Sequence, residues 1–277
     1  MRLAHLHLAC HARNPPEFAI KRCRTPPGRA TIYAVRLKCD IALFILAALL
    51  LRSACAEPPP YEFREQHSPD GIGKFYMGRE ISHVMGHQAA DWLERPERNA
   101  EENTELLIKS LPVKSGEVIA DIGAGTGYFT RQLATKVGPK GKVLAVDIQP
   151  EMIALLTNRM ATLRVSNVQA ILGTIVDPNL PAASADWVLM VDVYHEFSHP
   201  YEMMHAICKS LKPNGKVIFV EFRGEDPAVP IKPLHKMTEA QVRKEMSLHP
   251  LEFRETIGVL PRQHIIIFQK KFGPAPN

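Results

Sequence analysis

The stretch that decides the fold is Val118-Ile119-Ala120-Asp121-Ile122-Gly123-Ala124-Gly125-Thr126-Gly127, an apolar strand followed by three glycines at alternate positions. Glycine adopts the left-handed angles of a tight turn and lets the main chain approach a ligand, while the free N–H groups of a helix starting at Tyr128 offer donors to an anion. Alone, a glycine turn between strand and helix is common to several nucleotide and flavin sites. The punctuation around it is regular. A helix Tyr128–Val137 stops at Gly138-Pro139-Lys140-Gly141, and Lys142–Asp147 reads as a second strand. A helix over 151–164, strands Val168–Leu172 and Ala185–Val191, a helix over 200–211 and a strand over 216–222 follow. Continuous apolar strands alternating with amphipathic helices predict a parallel sheet covered on both faces. The end of the chain departs from this pattern. Thr238 opens a helix in a capping box with Gln241, and β-rich runs at 253–259 and 264–270 are joined by only Leu260-Pro261-Arg262-Gln263, which forces an antiparallel pair.

Upstream of the alternating region, residues 57–78 read as a linker, proline-rich at its start. Helices are predicted over 79–93 and 99–111, separated at Pro96, because Ile81, Val84, Met85 and Ala89, then Leu106, Leu107 and Leu111, recur at helical spacing. With Phe75, Tyr76, Met77 and Trp92 nearby, residues 79–112 are expected to form a helical lid over the carboxyl edge of the sheet. His83 and His87 stand four apart and could share a metal. They lack an HExxH frame and a third ligand, so they read as packing or surface histidines and no metal site is expected.

Composition narrows the function. The 277 residues are 45% hydrophobic and 23% charged, an ordinary globular balance that excludes disorder and a polytopic membrane protein. The formal charge of +5 is uneven: residues 1–56 hold 9 Lys and Arg against 2 Asp and Glu, leaving 25 against 27 in the remainder, so the globular part carries −2 and no footprint for phosphate backbones. Cys10, Cys23, Cys39 and Cys55 fall in the same leader, leaving Cys208 alone after it, with no internal disulfide and no thiolate cluster for a metal.

The leader has the order of a secretory signal peptide. Residues 41–51 are apolar without interruption, behind Arg36 and Lys38 and ahead of Ala54-Cys55-Ala56. Such a helix is roughly 16 Å long against a ~30 Å hydrocarbon core, so no stable membrane span is expected. Cleavage after Ala56 and export to the periplasm or medium are expected, with a cytoplasmic location as the alternative. Arg52 argues against a lipid anchor at Cys55. Residues 1–34 show no period, and translation from Val35 would leave them out.

Four details together discriminate among cofactors: the G-x-G-x-G spacing, Asp121 two residues before Gly123, a fourth strand ending Val191-Asp192, and the final hairpin. With Val143-Leu144-Ala145-Val146-Asp147-Ile148 and Leu211-Lys212-Pro213-Asn214-Gly215 before the fifth strand, residues 105–270 resemble the class I S-adenosylmethionine-dependent methyltransferases. The resemblance implies an α/β, Rossmann-like seven-stranded, mostly parallel sheet with a terminal antiparallel strand, spanning a domain at 113–277. It implies S-adenosyl-L-methionine as cofactor. Carried over, Gly123, Gly125 and Gly127 line the methionine moiety, Asp121 helps to hold its ammonium directly or through water, Asp147 binds the ribose and Ile148 packs on the adenine. Asp192 lies near the sulfonium. Thr174 stands at the adenine edge, where many relatives carry an acid and this chain reaches Asp177 only later.

The acceptor side is expected on loops at the carboxyl ends of the strands. Tyr194, His195 and Glu196 follow the fourth strand, and His195 is the candidate base because imidazole titrates near neutrality. Lys232, His235 and Lys236 after the fifth strand read as a solvated loop. These loops resemble the small-molecule branch of the family, which includes quinone-ring, sterol and arsenite enzymes. A single cysteine argues against arsenite, and the charge of −2 with no Asn-Pro-Pro-Tyr motif argues against nucleic acid. The expected activity is methyl transfer to a small-molecule acceptor. A non-catalytic S-adenosylmethionine-binding protein and a nicotinamide-dependent oxidoreductase are the alternatives, and the oligomeric state is open.

Overall fold

The computed structural model describes residues 61–271. The leader expected over 1–56, its cleavage site and the first linker residues lie outside the described residues. Strands β1 (Glu62–Phe63), β2 (Gly71–Tyr76) and β3 (Arg79–Ser82) form a small antiparallel sheet, followed by short helices α1 (Ala90–Leu93), α2 (Arg98–Glu102) and α3 (Thr104–Ser110). The main unit runs β4 (Val118–Ile122), α4 (Tyr128–Val137), β5 (Lys142–Asp147), α5 (Pro150–Thr162), β6 (Val168–Leu172), β7 (Ala185–Val191), α6 (Pro200–Ser210) and β8 (Leu211–Arg223). It ends with β9 (Lys236–Met237), α7 (Glu239–Met246), β10 (Leu251–Ile257) and β11 (Gln263–Lys270).

The main sheet has the order β10-β11-β8-β7-β4-β5-β6, with the two-residue β9 beside β8. Strands β4 to β8 are parallel, and β11, last in the chain, inserts antiparallel between β8 and β10. Alternation along each strand feeds two cores. Val188, Met190, Val217 and Phe219 face one side, where Met204, Ile207 and Met246 cover them. Leu189, Ile218 and Ile119 face the other, beneath Leu107, Leu133 and Val137. Both faces are therefore apolar, which is why these strands read as continuous hydrophobic runs. In α4, Phe129, Leu133, Ala134 and Val137 bury one stripe, and Gly138 at φ +68° ends the helix.

The helix expected over 79–93 is not formed at its start. Residues 79–82 are a strand, and α1 begins only at Ala90. Met77 and Gly78, at φ 49° and 97°, make a two-residue loop between the paired residues Tyr76 and Arg79. A loop with both central residues left-handed matches the twist of a hairpin, so β2 folds back as β3 and overrides the helical spacing of Ile81, Val84 and Met85. The linker expected over 57–78 likewise contains β1 and β2. His83 lies in the irregular stretch after β3 and His87 opens the 3-10 turn His87–Ala89, so the two share no helix face. The second expected helix is present as α2 and α3, broken at Asn103, whose left-handed backbone and side chain cap α3. Among the described residues no helix is long and apolar enough to cross a membrane.

The hairpin is fastened to the main unit by a buried ion pair. Arg79 Nε donates to Glu245 Oε1 at 2.7 Å and Nη2 to Oε2 at 3.2 Å, and Tyr194 Oη donates to Oε2 at 2.6 Å. Removing one partner of a buried pair strands the other charge, whereas an apolar replacement of both is often neutral. Urea unfolding of Glu245→Ala should show a loss of about 3–5 kcal/mol, part of it recovered in the Arg79→Met, Glu245→Met double variant, which still leaves the Tyr194 hydroxyl without its acceptor. An unchanged single variant would show that the hairpin is held by other contacts.

Candidate active site

A parallel sheet presents the carboxyl ends of its strands to one edge, and a cavity of about 530 Å³ lies there, lined by ends of β4, β5, β7 and β8 and by residues from the segment 82–98. The glycine turn forms one end. Gly123, Gly125 and Gly127 have φ of +69°, +52° and +86°, angles that L side chains rarely adopt. A Cβ on Gly125 would come within 2.6 Å of Leu93 Cδ1, and one on Gly123 within 2.5 Å of Val193 Cγ2. Both glycines line the cavity. Gly127 does not; the space above it is filled by Met160 and Leu156 of α5, at 3.0 and 3.2 Å, so its missing side chain serves helix packing.

Asp147 ends β5 beside the turn. Its Oδ2 accepts from Gly125 N at 2.9 Å and its Oδ1 from Gln149 N at 2.9 Å, so the carboxylate ties the glycine turn to the neighbouring strand. Burial raises its pKa, opposed by these backbone N–H groups. Ile148 follows it in the cavity wall. Gln149 reaches the upstream segment, accepting from His87 N at 2.8 Å and donating to Met85 O at 2.9 Å. Glu94, from the same segment, accepts from Thr126 Oγ1 at 2.5 Å and pairs with Arg131 and Arg159. The segment after the hairpin therefore lies over the glycine turn by specific polar contacts.

Asp121 is buried under the turn, where Thr130 Oγ1 donates to it at 2.6 Å, and burial pushes its carboxyl up to about 6. Asp192, just past β7, has a left-handed φ of +51°, a strained conformation of the kind that collects at functional sites. Its Oδ2 accepts from Gln263 Nε2 at 2.8 Å, while its buried Oδ1 has no partner in the protein. Burial raises its pKa far above the ordinary carboxylate range, with Glu102 and Glu221 adding to the effect. Thr174 is not brought to the cavity. It lies exposed in its own turn, accepting from Asp177 N at 2.9 Å, and its neighbour Ile175 reaches the lining instead.

At the other end, a 3-10 turn Tyr194–Glu196 sends consecutive side chains in different directions. Tyr194 does not face the cavity as expected; its ring is buried in the core and its hydroxyl is engaged by Glu245. His195 and Glu196 do line the cavity. His195 Nδ1 lies 2.6 Å from Glu221 Oε2, and its Nε2 lies 3.1 Å from His235 Nδ1. With the Glu221 carboxylate as acceptor, the proton of neutral His195 sits on Nδ1 and the Nε2 lone pair turns toward His235. Burial lowers His195 to about 4 and raises Glu196 to about 7 and Glu221 to about 8. Sequence reasoning missed Glu221 and treated His235 as solvated. An acid inside the apolar run Val217-Ile218-Phe219-Val220-Glu221-Phe222 was the signal available for the first.

Asp121 also makes a pH prediction. The folded chain holds its proton more tightly than the unfolded chain, so its contribution to stability falls as pH rises from the ordinary carboxylate range through about 6. Asp121→Asn removes that titration. Its thermal midpoint should gain on that of the unaltered protein between about pH 4 and about pH 7, and a constant offset would show that Asp121 titrates like an exposed carboxyl.

Comparison with known proteins accords with this geometry. A family model described as a methyltransferase domain matches residues 113–263. The ubiquinone/menaquinone biosynthesis C-methyltransferase UbiE of Pseudomonas savastanoi pv. phaseolicola is 30% identical over 111 residues, 40% of this chain and 43% of that protein. The chain thus spans less than half the length of the curated relatives it matches. Among solved structures, a SAM-dependent methyltransferase from Aquifex aeolicus superposes with a TM-score of 0.64 at 22% identity, covering 68% of this chain and all of the other. The YcgJ protein of Bacillus subtilis gives 0.50 at 17% identity, covering 61% and 98%. These two show the shared fold. The family match takes in more than half of the chain, from the last residues before β4 to the start of β11, and the sheet order and glycine turn agree with it: the chain belongs to the class I S-adenosylmethionine-dependent methyltransferases.

Proposed function

We propose that the protein transfers a methyl group from S-adenosylmethionine to a small molecule seated at the His195 end of the cavity. The observation that carries this reading is the continuity of the cavity, which joins the glycine turn and its carboxylates to His195 and Glu196. The residues present fit the cofactor. Its cationic parts suit a wall of buried carboxyl groups, in which Asp192 Oδ1 lacks a partner and Asp121 lies nearby in the sheet edge, since a bound cation favours their charged form. Asp147 keeps free lone pairs on both carboxylate oxygens for the two ribose hydroxyls, since each accepts one backbone N–H. Gly123 and Gly125 would let the methionine part approach the main chain, and Ile148 with Ile175 would flank the adenine.

When bound, the cofactor supplies a methyl group activated by its sulfonium. The protein's share is to align the acceptor, exclude water and manage the acceptor's proton. Met85, Phe197, Met203 and Ile231 give the acceptor end an apolar wall, so the substrate class is a compact, largely apolar molecule with one protic group. His195, oriented by Glu221, favours loss of that proton. The segment from Ser82 to Arg98 acts as the lid that keeps water out.

Calorimetry should show binding of S-adenosylmethionine and S-adenosylhomocysteine, with NAD and NADP silent. Asp147→Ala should weaken that binding by about 1.5–3 kcal/mol, the size of lost charge-assisted hydrogen bonds. His195→Ala should leave it intact and slow methyl transfer about 100-fold. Tight binding without turnover of any acceptor would favour a non-catalytic role, and binding unchanged in Asp147→Ala would place the ribose elsewhere.

A further inference from the structure

The polar end of the cavity is built more elaborately than a lone base requires. Three donor atoms from His195, Glu196 and His235 lie within 4.8 Å of one another. The two imidazole nitrogens face each other at 3.1 Å, and His235 Nδ1 stands 3.9 Å from Glu196 Oε1. All three residues line the cavity, so one side of the cluster is open to a ligand.

We propose that His195 Nε2, His235 Nδ1 and a Glu196 carboxylate oxygen bind a divalent transition-metal ion at the acceptor end of the cavity. This rests on reading that end as the acceptor's seat. Two imidazoles and a carboxylate form a donor set suited to zinc and its neighbours, and three protein ligands with an open position are the arrangement of a catalytic rather than a structural site. The surroundings complete it. Metal-bound histidines usually pass their other N–H to a carboxylate, and Glu221 already takes that place on His195 Nδ1 at 2.6 Å, its second oxygen accepting from Tyr194 N at 3.0 Å. Among the described residues neither Glu196 nor Glu221 has an ion pair with lysine or arginine; their only such partners are the two histidines. A bound cation would offset both carboxylates. Binding needs only that His235 carry its proton on Nε2. The ion would take a hydroxyl or thiol of the acceptor as its open ligand and lower that group's pKa, the proton leaving to the second carboxylate oxygen of Glu196, because His195 Nε2 would then hold the metal instead of the proton. This narrows the substrate class to alcohols, phenols and thiols.

The test is a calorimetric titration of the chelator-treated full chain with Zn²⁺, with circular dichroism to confirm folding. His235→Ala, at a partly buried position, should lose one zinc equivalent relative to the unaltered protein. Glu221→Gln should keep that equivalent with affinity lowered about 10–100-fold, as for other outer-shell partners, and His205→Ala, on the exposed side of α6, should behave as the parent. Equal stoichiometry and affinity in His235→Ala and the parent would overturn the proposal, as would the same loss in His205→Ala. S-adenosylmethionine titrated into the same samples separates the two readings: cofactor binding without this zinc site overturns the metal alone, and absent cofactor binding overturns the proposed function.

Discussion

A parallel sheet covered on both faces has room for polar chemistry only at its edges, and everything functional in this protein follows from that constraint. Side chains pointing up or down from β4, β5, β7 and β8 enter an apolar core, so acids on these strands are tolerated near the carboxyl ends, where the chain leaves the sheet. Asp121, Asp147, Asp192 and Glu221 stand within two residues of those four ends. Burial raises the pKa of each, because water is excluded and fixed positive charge is scarce. An edge that keeps four such groups is costly in stability and suited to a ligand that carries positive charge.

The N-terminal hairpin shows how a distant part of the chain contributes to this edge. Its Arg79 is buried against Glu245 of α7, and Arg79 Nη1 and Ser82 Oγ both donate to the carbonyl of His195, at 3.1 and 3.3 Å. The turn Tyr194–Glu196 is thus clamped from two sides. Tyr194 is drawn into the core by Glu245, and His195 is left facing the cavity with its ring held by Glu221. Downstream of the hairpin, Met85 and His87 bond to Glu196 and Gln149, so the same segment touches both ends of the site. Position at the carboxyl edge, rather than helical content, is what suits this segment to cover the cavity.

Much of this was legible in the residues alone. The glycine turn, the acid two residues before it, the acids ending the second and fourth strands, and the short link before the last strand are local signals, each dictated by backbone geometry or by the period of burial. Strands β4, β5, β7 and β8 declared themselves because a strand buried on both faces carries apolar side chains over most of its length. The same local logic failed at residues 79–89. There Met77 and Gly78 turn the chain back as a hairpin, and pairing with β2 outweighed the helical spacing of Ile81, Val84 and Met85.

What the sequence by itself determined, then, is the sheet, its order of elements and the glycine-turn end of the cavity, since those depend on patterns that lie within a few residues of one another. What only the tertiary structure decided is the His195 end of the cavity. Glu221 and His235 lie 26 and 40 residues beyond His195, and they meet it because β8 lies beside β7 in the sheet and the loop after β8 folds back over their ends. Tyr194 and His195 are adjacent in the chain yet serve opposite sides, because a tight turn splays neighbouring side chains and the packing on each side settles which one is buried in the core and which faces the cavity.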